Sequence, residues 1–194
     1  MKKIIFTLLL VITLSSSALF ADMDYVTTGM TGGYSLVSDS PSFGFNTSYE
    51  YMARIGNNTY FGINTHADLN ILIKDNKVNV GTGLLLGPAF GLAINNSNFL
   101  SITAAPALYF EVGSDYEYTG FGLGFDVNHT FYMGSDNDFG LTLGATAYTT
   151  FLNLMTENNE YVKSPVGFDC TGYIAFSFRS GDYTGDKDIY YNIY

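Results

Sequence analysis

His66 and Asp68 form a pair whose residue types and spacing could do chemistry. Side chains two residues apart in a strand lie on the same face, so an imidazole and a carboxylate could both bind one metal ion there. The chain has only two histidines, and the alternation around His129 places that residue on the opposite, apolar face of its own segment. We therefore expect no closed metal site and no cofactor.

His129 and Cys170 also carry reactive groups, and both fall on the apolar faces of their segments. A hydrolytic site would need a serine and a carboxylate beside the histidine. The residues in phase with His129, among them Val127 and Phe131, are apolar. We therefore expect no enzyme, and we interpret Cys170 as a small apolar filler without a redox role.

Segments of period-two alternation must position these side chains. Bulky apolar residues alternate with small or polar ones, and clusters of Asn, Asp, Ser and Gly interrupt the pattern. Beyond the amino-terminal region there is no helical periodicity and no apolar run of about 20 residues. The pattern predicts eight β-strands, at 24–37, 42–55, 60–73, 78–94, 99–112, 119–133, 139–153 and 166–179.

The breaks between these segments fall into two classes. Compact clusters of Asn, Gly, Ser and Asp follow the second, fourth and sixth segments, whereas the longest break, 156–165, follows the seventh. Membrane-spanning barrels have short turns on the inner side and longer loops outside. We therefore expect the amino terminus inside and 156–165 outside, where it would meet a surface ligand.

The two faces of the segments differ in size. In the fourth segment one face carries Leu84 and Leu86, while the other carries Gly83 and Gly87. The small face cannot be an ordinary soluble surface, because charged residues make up only 13% of the chain, about half the usual share. It suits the narrow interior of an eight-stranded barrel, where the glycines make room for long side chains such as Tyr148. The bulky face then meets lipid, and closure removes the sheet edges that lipid does not tolerate.

Eight ionisable side chains fall on the small face of their segments. A charge that faces lipid at mid-depth costs about 2–4 kcal/mol, so we place these residues inside. Buried charges need partners, and we expect the two arginines to pair with the carboxylates and with tyrosines in a network that plugs the lumen. The alternative is a selectivity site in a narrow conduit. The set is Glu50, Arg54, His66, Asp68, Glu111, Asp126, Asp169 and Arg179.

Aromatic residues cluster beside the three short turns. Aromatic girdles mark the membrane interfaces of spanning barrels, so we predict that this cluster forms the inner girdle. Its members are Tyr60, Phe61, Phe99, Phe131, Tyr132 and Phe139.

The first 21 residues have the pattern of a cleavable secretory signal. Two lysines precede an apolar run, and small residues lead to Ala21. We therefore divide the chain into a signal peptide (1–21), a barrel (22–179) and a polar tail (180–194). A single cysteine excludes an internal disulfide, and a net charge of −10 gives no electrostatic reason to bind nucleic acid.

In strand count, alternation, turn asymmetry and signal sequence, residues 24–179 resemble the small outer-membrane barrels of the OmpX and OmpW type. The resemblance implies an all-β, antiparallel, up-and-down transmembrane barrel in the cell outer membrane. It also implies surrounding lipid, insertion by the barrel-assembly machinery and a monomer. It rests on no specific motif. Such barrels commonly end in an aromatic residue that resembles an assembly signal, whereas here Phe178 is followed by the tail.

These features favour a structural or surface-interaction role for the barrel. One alternative is a narrow channel for small or apolar solutes, which conductance would reveal. Another is a soluble periplasmic barrel that binds a ligand, which would fold without detergent. A lipid-modifying enzyme would lose its activity when His129 is changed.

Overall fold

The computed structural model describes residues 23–74, 76–133, 138–158, 160–162 and 166–180. The predicted signal peptide (1–21), and the predicted tail beyond Ser180, lie outside the described residues. The proposed division into signal, barrel and tail therefore stays a prediction.

The described residues contain nine β-strands. The eight long strands lie close to the eight predicted segments. Within these residues, no helix has the length and apolar character needed to cross a membrane. The strands are β1 (Met23–Ser35), β2 (Ser40–Arg54), β3 (Thr59–Lys74), β4 (Lys77–Asn95), β5 (Asn98–Val112), β6 (Tyr116–Met133), β7 (Phe139–Glu157), β8 (Glu160–Val162) and β9 (Gly167–Ser180).

Eight of these strands close into a ring. Each strand from β1 to β7 pairs antiparallel with the next, and β9 pairs with both β7 and β1. The remaining strand, β8, lies outside the ring and pairs with the end of β7. The prediction of an eight-stranded antiparallel up-and-down barrel is confirmed.

The predicted loop 156–165 is partly a β-hairpin. Strand β7 continues to Glu157, and β8 returns beside it with Glu157 opposite Glu160. Asn158 turns the chain with a φ of 49°, a left-handed conformation that Asn tolerates better than most residues. A strand of three residues is too short to show alternation, so the sequence predicts only a long break here.

The outer wall of the barrel is apolar and exposed. Met30, Phe45 and Leu86 have 69%, 65% and 46% of their surface accessible, and their neighbours on the same face are similar. The inward residues are buried and largely polar. This is the reverse of a soluble barrel, and it is the arrangement that a wall standing in hydrocarbon requires.

The predicted aromatic girdle is wrong for half of its members. Phe61, Phe131 and Phe139 do lie on the outer wall. The other three point into the lumen, where they are buried. Because successive side chains in a strand alternate, the neighbours Tyr60–Phe61 and Phe131–Tyr132 cannot both face lipid. The inward members are Tyr60, Phe99 and Tyr132.

Candidate functional site

The lumen buries seven of the eight ionisable residues predicted to face it, and these seven come from five of the eight ring strands. They lie at different depths, because the strands tilt around the barrel and each contributes its residue at another height. The seven are Glu50, His66, Asp68, Glu111, Asp126, Asp169 and Arg179.

His66 stands at the centre of the lumen between two carboxylates. Its Nε2 lies 3.0 Å from Asp68 Oδ1, and its Nδ1 lies 3.7 Å from Asp126 Oδ1. Thr146 links the same groups, with its hydroxyl 3.2 Å from His66 Nε2 and donating to Asp126 Oδ1 over 2.8 Å. Tyr148 donates to Asp68 Oδ2 at 2.7 Å. The predicted His66–Asp68 pair is therefore part of a larger bonded group.

On the inner side of this group, Glu50 accepts hydrogen bonds from neutral side chains. Ser101 donates to Glu50 Oε2 over 2.6 Å, and Asn128 donates to Glu50 Oε1 over 3.0 Å. The same Asn128 amide donates to Asp126 Oδ2 over 3.0 Å. Asn128 thereby joins Glu50 to the central group.

On the outer side of the central group, Glu111 and Asp169 both lie beside the hydroxyl of Tyr109. That hydroxyl lies 2.9 Å from Glu111 Oε2 and 3.3 Å from Asp169 Oδ2. Ser35 donates to Glu111 Oε2 at 2.8 Å, and Tyr116 donates to the other oxygen of Glu111. Tyr116 is half-buried, so this upper group extends to the outer end of the barrel.

The two arginines lie at the inner end of the barrel rather than among the central carboxylates. Arg179 places its guanidinium carbon 4.0 Å from the centroid of the Tyr132 ring, a cation–π contact. Arg54 is half-buried and donates to the backbone oxygens of Gly56 and Asn57, at 3.0 Å and 2.5 Å. Arg54 therefore caps the turn after β2, because it is the last residue of its strand.

Large side chains fill the lumen opposite glycines. A Cβ on Gly83 would lie 2.4 Å from the ring of Tyr148, and one on Gly144 would lie 2.2 Å from the ring of Tyr173. The predicted use of these small residues, to make room for long side chains, is confirmed for Tyr148. Two packed layers of buried residues result, one at each end of the central group. The inner layer is Met23, Tyr25, Met52, Tyr60, Ala89, Phe99 and Tyr132, and the outer layer is Leu85, Ala105, Ala107, Tyr109, Tyr118 and Tyr148.

The reactive residues outside the lumen lie on the outer wall. His129 packs against Phe131, with ring centroids 4.3 Å apart, and its neighbours across the sheet are Leu100 and Leu143. Cys170 is exposed on the same wall. In the described part of the chain, no three His, Cys, Asp or Glu side chains are grouped so that they could hold a metal ion.

A second candidate site lies on the outer rim. A pocket of about 200 Å³ opens between the β5–β6 turn and the end of β7. Lys77 donates a hydrogen bond to Asp115 at its edge and holds the pKa of that carboxyl below its usual value. The pocket is lined by Gly113, Ser114, Asp115, Tyr116, Glu117, Thr156 and Asn158.

Acidic groups dominate this rim. The described residues there include five carboxylates and two ammonium groups. A hydrogen bond from Tyr34 and the charge of Lys74, 3.7 Å away, lower the pKa of Asp39. The carboxylates are Asp39, Asp115, Glu117, Glu157 and Glu160, and the ammonium groups are Lys74 and Lys77.

Sequence reasoning missed most of the neutral members of the lumen network. Thr146, Asn128 and Ser101 connect the carboxylates, yet each is one polar residue among many on the small faces. The buried tyrosines carried a usable signal, since they alternate in phase with the glycines and acids of their strands. No sequence signal marks the rim pocket, because the pocket forms only where two turns meet in the folded barrel.

Comparison with known proteins gives a likeness of fold. The sequence matches no protein-family model and no curated protein. Among solved structures, Ail, the attachment invasion locus protein of Yersinia pestis, superposes with a TM-score of 0.52 at 12% identity, over 83% of this chain and 100% of that one.

Two further barrels are similar. Neisserial surface protein A gives a TM-score of 0.51 at 15% identity, over 82% of this chain and 97% of that chain. The outer membrane protein OprG from Pseudomonas aeruginosa gives 0.52 at 5% identity, over 84% and 98%. The chain thus has the fold of the small eight-stranded outer-membrane β-barrels.

Proposed function

We propose that this chain is an integral protein of a bacterial outer membrane, with a structural or surface-interaction role. The pairing of an apolar outer wall with a filled polar lumen carries the proposal. A closed barrel with an apolar wall is one of the two architectures that satisfy their backbone inside hydrocarbon. Because the lumen is packed, the rims are the surfaces left for other molecules. The chain works as a monomer placed by the barrel-assembly machinery.

The outer rim is the surface we assign to a partner, and we infer that the partner is cationic. Carboxylates outnumber ammonium groups there, and both lysines are already engaged by Asp39 and Asp115. Tyr161, 82% exposed on β8, adds a large side chain of the kind enriched at protein interfaces. A basic peptide or protein surface fits this chemistry, whereas a polyanion would be repelled.

Gel mobility tests membrane integration. The chain should refold only with detergent or lipid, and the unboiled band should migrate differently from the boiled one. Folding as a monomer in plain buffer would contradict the proposal and favour the soluble ligand-binding barrel.

Cysteine labelling on intact cells tests which rim faces outward. In a Cys170→Ala background, Tyr161→Cys should react with a membrane-impermeant maleimide. The matched variant Asn96→Cys, in the turn between β4 and β5, should react only after the cells are permeabilised. The opposite pattern would reverse the assigned orientation.

A fluorescent oligolysine peptide tests the chemistry of the rim. The peptide should bind the detergent-solubilised barrel, and its affinity should fall as salt is added. Its affinity should also fall in the double variant Glu117→Gln, Glu157→Gln. A matched double variant at the inner end, Asn57→Ser, Asn96→Ser, should bind as the native chain does. Equal binding of an oligoglutamate peptide would refute a cationic partner.

The channel alternative requires an open path through the lumen. Tyr109, Tyr118 and Tyr148 pack across it and are each about 1% exposed, which opposes passage of solutes. Planar bilayers should therefore show no stepwise conductance from the native chain. Discrete conductance steps would favour the channel over the structural role.

A further inference from the structure

Asp24 is a carboxylate on the outer wall of the barrel, at its inner end. Its side chain is half-buried and alternates in phase with the exposed Val26, whereas its neighbours Met23 and Tyr25 are buried in the lumen. An ionised group on a lipid-facing wall is costly at mid-depth and tolerated near the interfaces. The height of Asp24 on the wall and the side chains around it therefore decide what it can bind.

The aromatic residues of the outer wall place Asp24 at the inner interface. Phe139, an outward member of the predicted girdle, packs against Phe178, with ring centroids 5.4 Å apart. Phe178 lies opposite Val26 across the β1–β9 pair, and Asp24 is the next outward residue of β1 towards the inner end. Aromatic girdles lie at the level of the lipid headgroups. In the membrane location proposed above, the Asp24 carboxylate is therefore among the headgroups.

Two tyrosines of β2 lie beside Asp24 on the same face. Tyr51 is directly opposite Asp24 in the β1–β2 pair, and Tyr49 donates a hydrogen bond to Asp24 Oδ2 over 3.2 Å. The two rings meet edge to face, with centroids 4.8 Å apart and an interplanar angle of 85°. Side chains directly opposite across an antiparallel pair are close enough to interact. We call this group the Asp24 box: Asp24, Tyr49 and Tyr51.

The Asp24 box has a carboxylate but no basic side chain. In the described part of the chain, no Lys, Arg or His forms an ion pair with Asp24. Lys74 and Lys77 are at the outer rim, and Arg179 is inside the lumen against Tyr132. A carboxylate and the faces of aromatic rings both attract a cation, and ammonium groups are recognised by this combination. The box therefore has the chemistry of an ammonium site.

We propose that the Asp24 box binds the primary ammonium of a phosphoethanolamine lipid headgroup, an assignment that rests on the membrane location proposed above. The ammonium N–H groups donate charge-assisted hydrogen bonds to Asp24, and the rings of Tyr49 and Tyr51 add cation–π attraction. A quaternary choline ammonium has no N–H group to donate. It therefore keeps the ring contacts but loses the hydrogen bond, and the box distinguishes the two headgroups.

The wall next to the box favours a lipid over a soluble amine. Val26, Phe178 and Ile63 border the box on the outer wall and are 40%, 53% and 40% exposed. Val26 and Phe178 lie opposite each other, and Ile63 lies opposite Tyr51. An acyl chain packs along these apolar side chains while its headgroup is held at the box. A soluble amine makes the polar contacts alone.

Native mass spectrometry of the full-length chain, refolded in detergent, provides the test. Phosphatidylethanolamine and phosphatidylcholine with identical acyl chains are added at equal concentration, and the bound fraction of each is compared. The ethanolamine lipid should be retained about tenfold over the choline lipid, the effect of one hydrogen bond to a charged group. This preference should disappear in Asp24→Asn. Retention of the ethanolamine lipid should fall about threefold in Tyr51→Leu, whereas Tyr51→Phe keeps the ring and should behave as the native chain does.

Asp39→Asn is the matched control, because it removes the same charge at the opposite rim, where Asp39 lies 3.7 Å from Lys74. It should keep the native preference. Gel mobility verifies the folding of each variant, and the two Tyr51 variants carry the test if Asp24→Asn does not fold. A native chain that stays unfolded in detergent would contradict membrane integration itself.

Four results with a folded chain would overturn the lipid site while leaving membrane integration intact. They are equal retention of the two lipids, an undiminished preference in Asp24→Asn, an equal loss of preference in Asp39→Asn, and equal retention by Tyr51→Leu and Tyr51→Phe. Free phosphoethanolamine at the concentration of the lipid should not displace it, because the free headgroup lacks acyl chains. Displacement would overturn the assignment to a lipid in favour of a soluble amine.

Discussion

The outer and inner walls of this barrel alternate residue by residue along the same strands, but they are built differently. On the outer wall, side chains such as Leu86 and Phe125 are exposed, with no layer of protein above them. On the inner wall, Asp126 accepts hydrogen bonds from Asn128 on its own strand, from Thr146 on β7 and from Tyr173 on β9. In the membrane location that we propose, lipid packs against the outer wall, whereas the inner side chains have only each other as partners.

This difference sets what each wall can accept. The outer wall requires apolar character and is indifferent to detailed shape, because lipid chains adapt to it. The inner wall requires matching sizes and matching hydrogen bonds, because a narrow barrel leaves no space for adjustment. The same substitution should therefore have different effects on the two walls, and at different depths.

The largest effect is expected from a charge placed at mid-height on the outer wall. Leu86→Arg should lower the free energy of unfolding by about 2–4 kcal/mol, because the guanidinium would face hydrocarbon. Val78→Arg, on the same face near the rim, should cost about 0–1 kcal/mol. Denaturant unfolding in lipid vesicles measures both. Equal costs at the two positions would refute the lipid-facing wall.

A smaller effect is expected from a single methyl group on the inner wall. Gly83→Ala would push a Cβ against the Tyr148 ring and should cost about 1–3 kcal/mol, the usual range for overpacking. Gly32→Ala meets nothing closer than 3.9 Å on the outer wall and should leave the unfolding midpoint unchanged. Equal stability of the two variants would show that the lumen has room for a methyl group at Gly83.

Removing one lumen hydroxyl should have a still smaller effect. The Thr142 hydroxyl bonds those of Thr130, at 2.7 Å, and Ser177. Thr142→Val should destabilise the barrel by about 1 kcal/mol, because these buried partners lose a bond. Thr149→Val, on the outer wall of the same strand, should be neutral or stabilising. An equal loss of stability in Thr149→Val and Thr142→Val would contradict the difference between the two walls.

The smallest effect is expected at the rim, which belongs to neither wall. Lys77→Gln should raise the pKa of Asp115 towards its ordinary value, because the hydrogen bond and charge that favour the carboxylate are lost. NMR titration of the Asp115 carboxyl measures this shift. The unfolding midpoint should not change, since both side chains are about half exposed. An unchanged titration would show that the pair is not formed in solution.

Much of this architecture could be read from alternation alone. A period of two fixes which residues share a face, and the low charge content indicates that the bulky face meets lipid. Alternation assigns eight ionisable residues to the small face, and the structure buries seven of them. The exception is Arg54. It is the last residue of its strand, and its side chain donates hydrogen bonds to the backbone oxygens of Gly56 and Asn57.

What the sequence by itself determined is therefore the eight strands and the inward or outward side of each residue, because these follow from local geometry. Only the tertiary structure decided which side chains meet. Tyr148 reaches Asp68, and Asn128 reaches Glu50, across separations of 80 and 78 residues. Such contacts depend on the stagger of the strands around the closed ring, which sets the height of every residue. No single segment carries that information, since the stagger belongs to the ring as a whole.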